Sequence, residues 1–367
     1  MDQEHSQPHY LSLKKLLFNM ENSIAHRVFT SRFGSPKQTT IIVLLLMLLV
    51  VSALVASANG SFNLSFIDLI LGKATTLQSI VMLEIRLPRV ALSALVGASL
   101  GLSGAALQGL FRNPLADPGL IGVSAGAALG ASIIIVISPA FLVNSFLGPF
   151  LLPLAGIFGA ASVIFLLYLL THGFGYQGVT YMLLVGIAVN AIAGVAIGVL
   201  TYISSDAELR TLTFWTMGSF GGVTWTLLTP ALVIIFSAIL YMLPAYRKLD
   251  LIQLGEIEAS RLGVDVKKLK YRVILSSAAA VGASVALSGM IGFVGLVVPH
   301  LVRLLGGVNH NYLLPASAAL GATLLVSADV LARLLIQPAE LPIGLITSAI
   351  GSPFFLWLVF RLKKNDY

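Results

Sequence analysis

The feature that most constrains this chain is a series of apolar runs of helix length, such as residues 41–58, which contain no charged residue. Crossing the roughly 30 Å hydrocarbon core of a bilayer takes about 20 apolar residues per helix, and only helices or closed barrels satisfy their backbone groups there. Runs of this length exclude a barrel. A content of 57% hydrophobic and 10% charged residues, with mean hydropathy +0.95, excludes an ordinary soluble domain. The chain has no cysteine, so it has neither disulfides nor thiolate metal sites.

The apolar runs and their breaks predict ten spans, at 40–58, 87–111, 119–138, 150–170, 180–203, 227–244, 273–290, 292–305, 313–333 and 343–360. Gly289, Gly292 and Gly295 interrupt the pattern, and the segment up to Pro299 is short, so a broken or re-entrant helix competes with a full span there. An even count puts both termini on one side. The domain reading is a polar tail over 1–38, a ten-helix membrane domain over 39–364 and a short tail over 365–367. The first tail carries an amphipathic stretch (Leu11, Leu13, Leu16, Leu17, Phe18) but no apolar core with a cleavage site, which argues against a removable signal peptide.

Residues 246–272 form an internal island that holds 11 of the 37 Asp, Glu, Lys and Arg residues. On the ten-span reading, one side of the membrane collects 17 of the 22 Lys and Arg, from the first tail, Arg112, the island, Arg303 and the C-terminus. Lys73, Arg86, Arg89, Arg210 and Arg333 fall on the other side. Cytoplasmic loops are enriched in these residues, so the island and both termini are predicted to be cytoplasmic. The net charge of +7 then reflects orientation, not nucleic-acid binding.

Signatures of catalysis are missing: there is no Gly-x-x-x-x-Gly-Lys-Ser/Thr phosphate loop and no His-Glu-x-x-His, and the His residues do not cluster at ligand spacing. No metal site, no cofactor and no enzymatic reaction are expected. Within the spans Asp329 is the lone acid, a weak basis for a proton pathway; a hydrogen bond between helices is its better reading, as for Gln108, Asn113 and Asn190. Glycines at small-xxx-small spacing (Gly97, Gly101, Gly104; Gly122, Gly126, Gly130) predict close helix packing. Arg86-Leu87-Pro88-Arg89 opens the second span, with Pro88 suited to a first helical turn. These arginines either anchor to lipid headgroups or receive acidic residues of an external partner. Asn113-Pro114 and Asp117-Pro118-Gly119 dictate a tight turn.

The run from Arg86 through Gln108 to Asn113-Pro114-Leu115-Ala116-Asp117-Pro118-Gly119 resembles a signature of the iron-siderophore, haem and vitamin B12 (FecCD-type) permease family. So do Leu254-Gly255-Glu256-x-Glu258-Ala259-x-Arg261-Leu262-Gly263-Val264, Gly292-Phe293-Val294-Gly295-Leu296-Val297-Val298-Pro299-His300, Ala339-Glu340-Leu341-Pro342-Ile343-Gly344 and Gly351-x-Pro353-Phe354-Phe355. The resemblance covers about residues 40–364, and the longer N-terminal tail departs from it.

It implies an all-α polytopic fold of the type II ABC importer permease, in the bacterial inner membrane, with two copies enclosing a central path. Two separate ATP-binding subunits would sit on the cytoplasmic side, and a soluble substrate-binding protein outside. By the same resemblance, Arg86, Arg89 and Arg333 receive the binding protein, while Gly255, Glu256, Glu258, Ala259, Arg261, Leu262 and Gly263 form the element that docks the ATPase. Glu256 to Leu262 is expected to form a short helix ended by Gly263 in a left-handed cap, with Ile257, Ala259 and Leu262 as apolar contacts. An ion-gradient-driven carrier is the alternative, and an integral-membrane enzyme a more distant one.

Overall fold

The computed structural model describes residues 35–60, 75–138, 145–171 and 178–365. The amphipathic stretch of the first tail and Lys73 lie outside them. Among the described residues, seven helices are long and apolar enough to cross a membrane. They are α1 (Pro36–Ala58), α2 (Thr76–Phe111), α4 (Gly148–Thr171), α5 (Gly178–Ile203), α7 (Trp225–Met242), α10 (Val266–Ser288) and α12 (His310–Leu334). Three shorter apolar helices, α3 (Val123–Ile137), α11 (Val294–Gly306) and α13 (Ile343–Asn365), complete the set, and all ten fall on the expected spans. Between them lie α6 (Asp206–Met217), an element absent from the sequence reading, and the island helices α8 (Tyr246–Leu251) and α9 (Glu256–Arg261).

Pro88 stands in the first turn of the α-helical part of α2, Leu87–Phe111, as expected, and α2 is extended N-terminally by a π-helical stretch over Val81–Arg86. Proline offers no N–H to the preceding turn, and the wider register upstream absorbs that missing bond without ending the helix.

α2, α10 and α12 form the inner layer: 78%, 72% and 67% of their apolar stretches are buried, against 17% for α1 and 22% for α4 and α5. Glycine makes this packing close. A Cβ at Gly97 would collide with the carbonyl of Gly321, and one at Gly321 with that of Gly97, so α2 and α12 touch backbone to backbone. Gly104 meets Gly295 of α11, and Gly126 of α3 faces Gly159 of α4 in the same way. With no hydrophobic effect between helices in lipid, such close approach supplies the association energy through dispersion.

The interrupted region is a broken helix. α10 ends at Ser288, Gly289 turns with φ +68°, and the chain runs non-helically to Phe293, whose φ is +67°. α11 then begins inside the bundle against Gly104 and, at 13 residues, is about 20 Å long, short of a full crossing.

Hydrogen bonds fix which termini share an end. The start of α1 lies by the end of α11 through Gln38 Nε2 donating to Gly306 O (2.8 Å), and the start of α12 lies by the island through His310 and Asp250. α13 starts at the opposite end, where Ile343 N–H donates to Gly218 O, and runs back past His300, whose ring packs on Phe354. The island and both ends of the membrane domain therefore lie on one face of the bundle.

Candidate coupling and docking sites

The island is a folded platform. After α7, a short 3-10 turn leads into α8, whose Leu249 is fully buried, as is Ile252 beyond it. Gly255, at φ +119° and ψ 153°, a conformation open to glycine and strained for other residues, breaks the chain away from α8 and starts α9. α9 ends as expected. Val264 N–H donates to Ala259 O (2.9 Å) and Gly263 N–H to Ser260 O (3.0 Å), the paired bonds of a Schellman cap, with Gly263 left-handed at φ +85°.

Three polar contacts tie this platform to the three inner helices. Gln253 Nε2 donates to Gly109 O of α2 at 2.7 Å. Asp250 Oδ1 accepts both the backbone N–H (3.0 Å) and, at 2.6 Å, Nδ1–H of His310 at the start of α12. Lys270 Nζ of α10 meets Glu256 Oε2 at 2.7 Å, with the lysine side chain only 7% exposed. Asp265 caps α10 by accepting the N–H of Lys268, and that bond holds its carboxyl below the usual range.

Of the seven residues expected to meet an ATPase, Glu258, Arg261, Leu262 and Gly263 are exposed. Ala259 is fully buried, which corrects its assignment as an apolar contact: it faces inward and seats α9 on the chain's own core. Glu256 is turned toward Lys270, and Gly255 is buried. The apolar surface offered outward is Leu254, Ile257 and Leu262, each more than half exposed.

Beside the platform, Gln108 joins three elements. Its Nε2 donates to Ala116 O and Gly295 O (both 3.2 Å), while its Oε1 accepts from Arg303 Nη1. Asn190 Nδ2 donates to Gly119 O, so both amides are packing contacts. Asp117, in the turn, accepts the Gly119 N–H, and burial pushes its carboxyl above the usual range.

At the opposite end the three arginines converge, but in unequal ways. Arg86 Nη1 donates to Ser57 O and Ala58 O (both 2.8 Å); Arg333 donates to Asn59 O (2.7 Å) and Ala56 O (2.9 Å). Both guanidiniums are buried and bind the free carbonyls at the C-terminus of α1, where the helix dipole favours a cation. Arg89 makes a fork with Asp329 through Nε and Nη2 (3.0 and 2.9 Å), and Arg333 Nε reaches the other oxygen of the same carboxylate. Asp329 is thus the interhelical polar contact that the sequence suggested, in the form of an ion pair. Arg333, four residues on, shares its helix face, and that spacing alone could have identified one partner. The outer nitrogen of Arg89, Nη1, pairs with Glu340 at 2.9 Å.

Comparison with known proteins decides the family. The model of the FecCD transport family matches residues 41–361. The chain belongs to the FecCD transport family. It is 46% identical over 316 residues to the hemin transport system permease protein HmuU of Yersinia pestis, covering 86% of this chain and 93% of that one. It is 42% identical to the vitamin B12 import system permease protein BtuC of Vibrio parahaemolyticus, over 78% of this chain and 84% of the relative. A solved inward-facing structure described as a metal-chelate type ABC transporter superposes with TM-score 0.76 at 36% identity, covering 88% of this chain and 99% of the other. This FecCD-family chain is accordingly a polytopic permease of the bacterial ABC-importer type, a transport subunit and not an enzyme, in the inner membrane.

Proposed function

We propose that the chain is the membrane subunit of an ATP-driven importer for an iron chelate, with haem the first candidate, a ferric siderophore next and a vitamin B12-like corrinoid after that. The order follows the similarity to the hemin permease, which has the higher identity and the longer match of the two relatives described. Two copies would enclose the path, two ATP-binding subunits would sit beneath them on the cytoplasmic face, and a binding protein would deliver substrate to the arginine-bearing face.

The observation that carries this reading is the island's construction. An exposed apolar set (Leu254, Ile257, Leu262) stands on a platform fixed by one polar contact to each of α2, α10 and α12. A partner gripping α9 would move the inner layer as a body, which is what conversion of ATP binding into alternating access requires. An ion-gradient carrier has less support: among the described residues Asp329 is the one buried acid in the inner layer, and it is engaged by two arginines, Arg89 and Arg333. Selectivity then falls mainly to the binding protein.

The direct test is co-purification with a separate ATP-binding subunit, followed by Leu262→Glu. A charge in the gripping surface should abolish assembly while leaving the membrane domain folded, because Leu262 is exposed. Retained assembly would overturn the assignment of α9.

A further inference from the structure

The three arginines expected to receive the binding protein are not equivalent, and the difference points to an internal placeholder. Arg86 and Arg333 are consumed inside the chain: their guanidinium groups are spread over four carbonyls at the end of α1, and both side chains are buried. Arg89 is split. Its inner edge is locked on Asp329, a carboxylate 1% exposed and held from the other side by Arg333; its outer nitrogen meets Glu340, whose side chain is 47% exposed.

The two carboxylates differ in what displacement would involve. Removing Asp329 would leave the cations of Arg89 and Arg333 facing each other without a counter-charge, whereas Glu340 sits at the surface, where water can take over its solvation. Glu340 is also carried by an exposed connection, residues 335–340, between α12 and α13. That connection is pinned at its far end, where Leu341 N–H donates to Ala332 O and Ile343 N–H to Gly218 O. The glutamate can therefore leave without unfolding its neighbours. Gly221, on the loop before α7, lies beside both partners, so a further segment of the chain borders the pair.

We propose that Glu340 occupies the seat of an acidic side chain of the delivering protein, and that docking exchanges the internal carboxylate for the external one at Arg89 Nη1. This rests on the proposed docking of a binding protein at the arginine-bearing face. The exchange keeps Arg89 paired in both states. It makes docking reversible, since Glu340 refills the seat on release. Arg86 and Arg333 act as positioning residues that hold the end of α1 in both states.

The test uses the assembled transporter in lipid nanodiscs and its purified binding protein. Glu340→Gln removes the competing charge but keeps the side-chain shape. It should tighten binding roughly two- to fivefold, the range of an exposed ion pair, and the gain should shrink as salt is raised. Hydrogen-exchange protection of residues 218–222 and 335–342 on binding locates the contact in the same samples. Protection there with unchanged or weaker binding in Glu340→Gln overturns the placeholder and leaves the docking face standing. Protection elsewhere overturns the docking face itself, and the placeholder with it.

Discussion

Exchanging the charges of Glu256 and Lys270 separates a brace inside the chain from a contact with a partner. Lys270 Nζ and Glu256 Oε2 are 2.7 Å apart, with side chains 7% and 16% exposed, so neither charge is well solvated. Breaking a fully buried pair from one side removes about 3–5 kcal/mol, and the residual exposure of Glu256 places this pair near 3 kcal/mol. That is about a hundredfold in the equilibrium between seated and unseated α9. Glu256→Lys and Lys270→Glu should each lower the melting temperature of the purified complex and uncouple ATP hydrolysis from substrate. The double exchange restores an opposite-charge pair. It puts a lysine in the first turn of α9, unfavourable by about 0.5 kcal/mol, and a glutamate in the early turns of α10, favourable by a similar amount, so the helix-dipole terms nearly cancel. Most of the stability and coupling should return in the double variant, read as melting temperature by intrinsic fluorescence and as substrate-stimulated ATP hydrolysis. A double variant as unstable as the single ones would refute the brace. One that regains stability but not coupling would show that Glu256 itself touches the ATPase.

Three further outcomes follow from the packing and the charges. Gly97→Val drives a side chain into the Gly321 carbonyl and should destabilise the α2–α12 pair by about 3 kcal/mol, seen as a lower melting temperature, whereas the same change at Gly194, where nothing lies within 4 Å, should have little effect. Asp329→Asn strands Arg89 and Arg333 and should destabilise by about 3 kcal/mol; uptake by the protein that still folds should remain indifferent to a proton gradient, and a dependence on that gradient would favour the carrier reading. Asp117→Asn keeps an acceptor for the Gly119 N–H and removes a partly buried charge. Because burial raises the carboxyl's pKa in the folded state, the wild-type protein loses stability as pH rises from the unfolded value through the folded one. The variant's advantage in melting temperature should widen as pH rises above about 4, the unfolded carboxylate value, and a constant difference would count against that burial.

The spans were legible because lipid imposes one length and one composition on every crossing segment, and even the break after Ser288 announced itself through Gly289 and Gly292. The left-handed end of α9 was legible too, since Gly263 follows a short helical pattern at the place a cap needs it. Partners distant in sequence were not. Nothing local ties Asp250 to His310, Gln253 to Gly109 or Arg89 to Glu340; these pairings exist only once the helices are stacked. The same blindness made Ala259 look like a surface contact, because a single turn of helix has too little periodicity to show which side faces inward. Pro88 marked the first turn of the α-helical stretch Leu87–Phe111, whereas the π-helical stretch before it, Val81–Arg86, carried no local signal.

The claim that this chain is the moving half of an ATP-driven importer is tested most directly by uptake of radiolabelled haem into proteoliposomes containing the chain, its ATP-binding subunit and its binding protein. Uptake should require internal ATP, disappear with Leu262→Glu and persist when an ionophore collapses the proton gradient. Uptake that proceeds without ATP and stops with the ionophore would contradict the account.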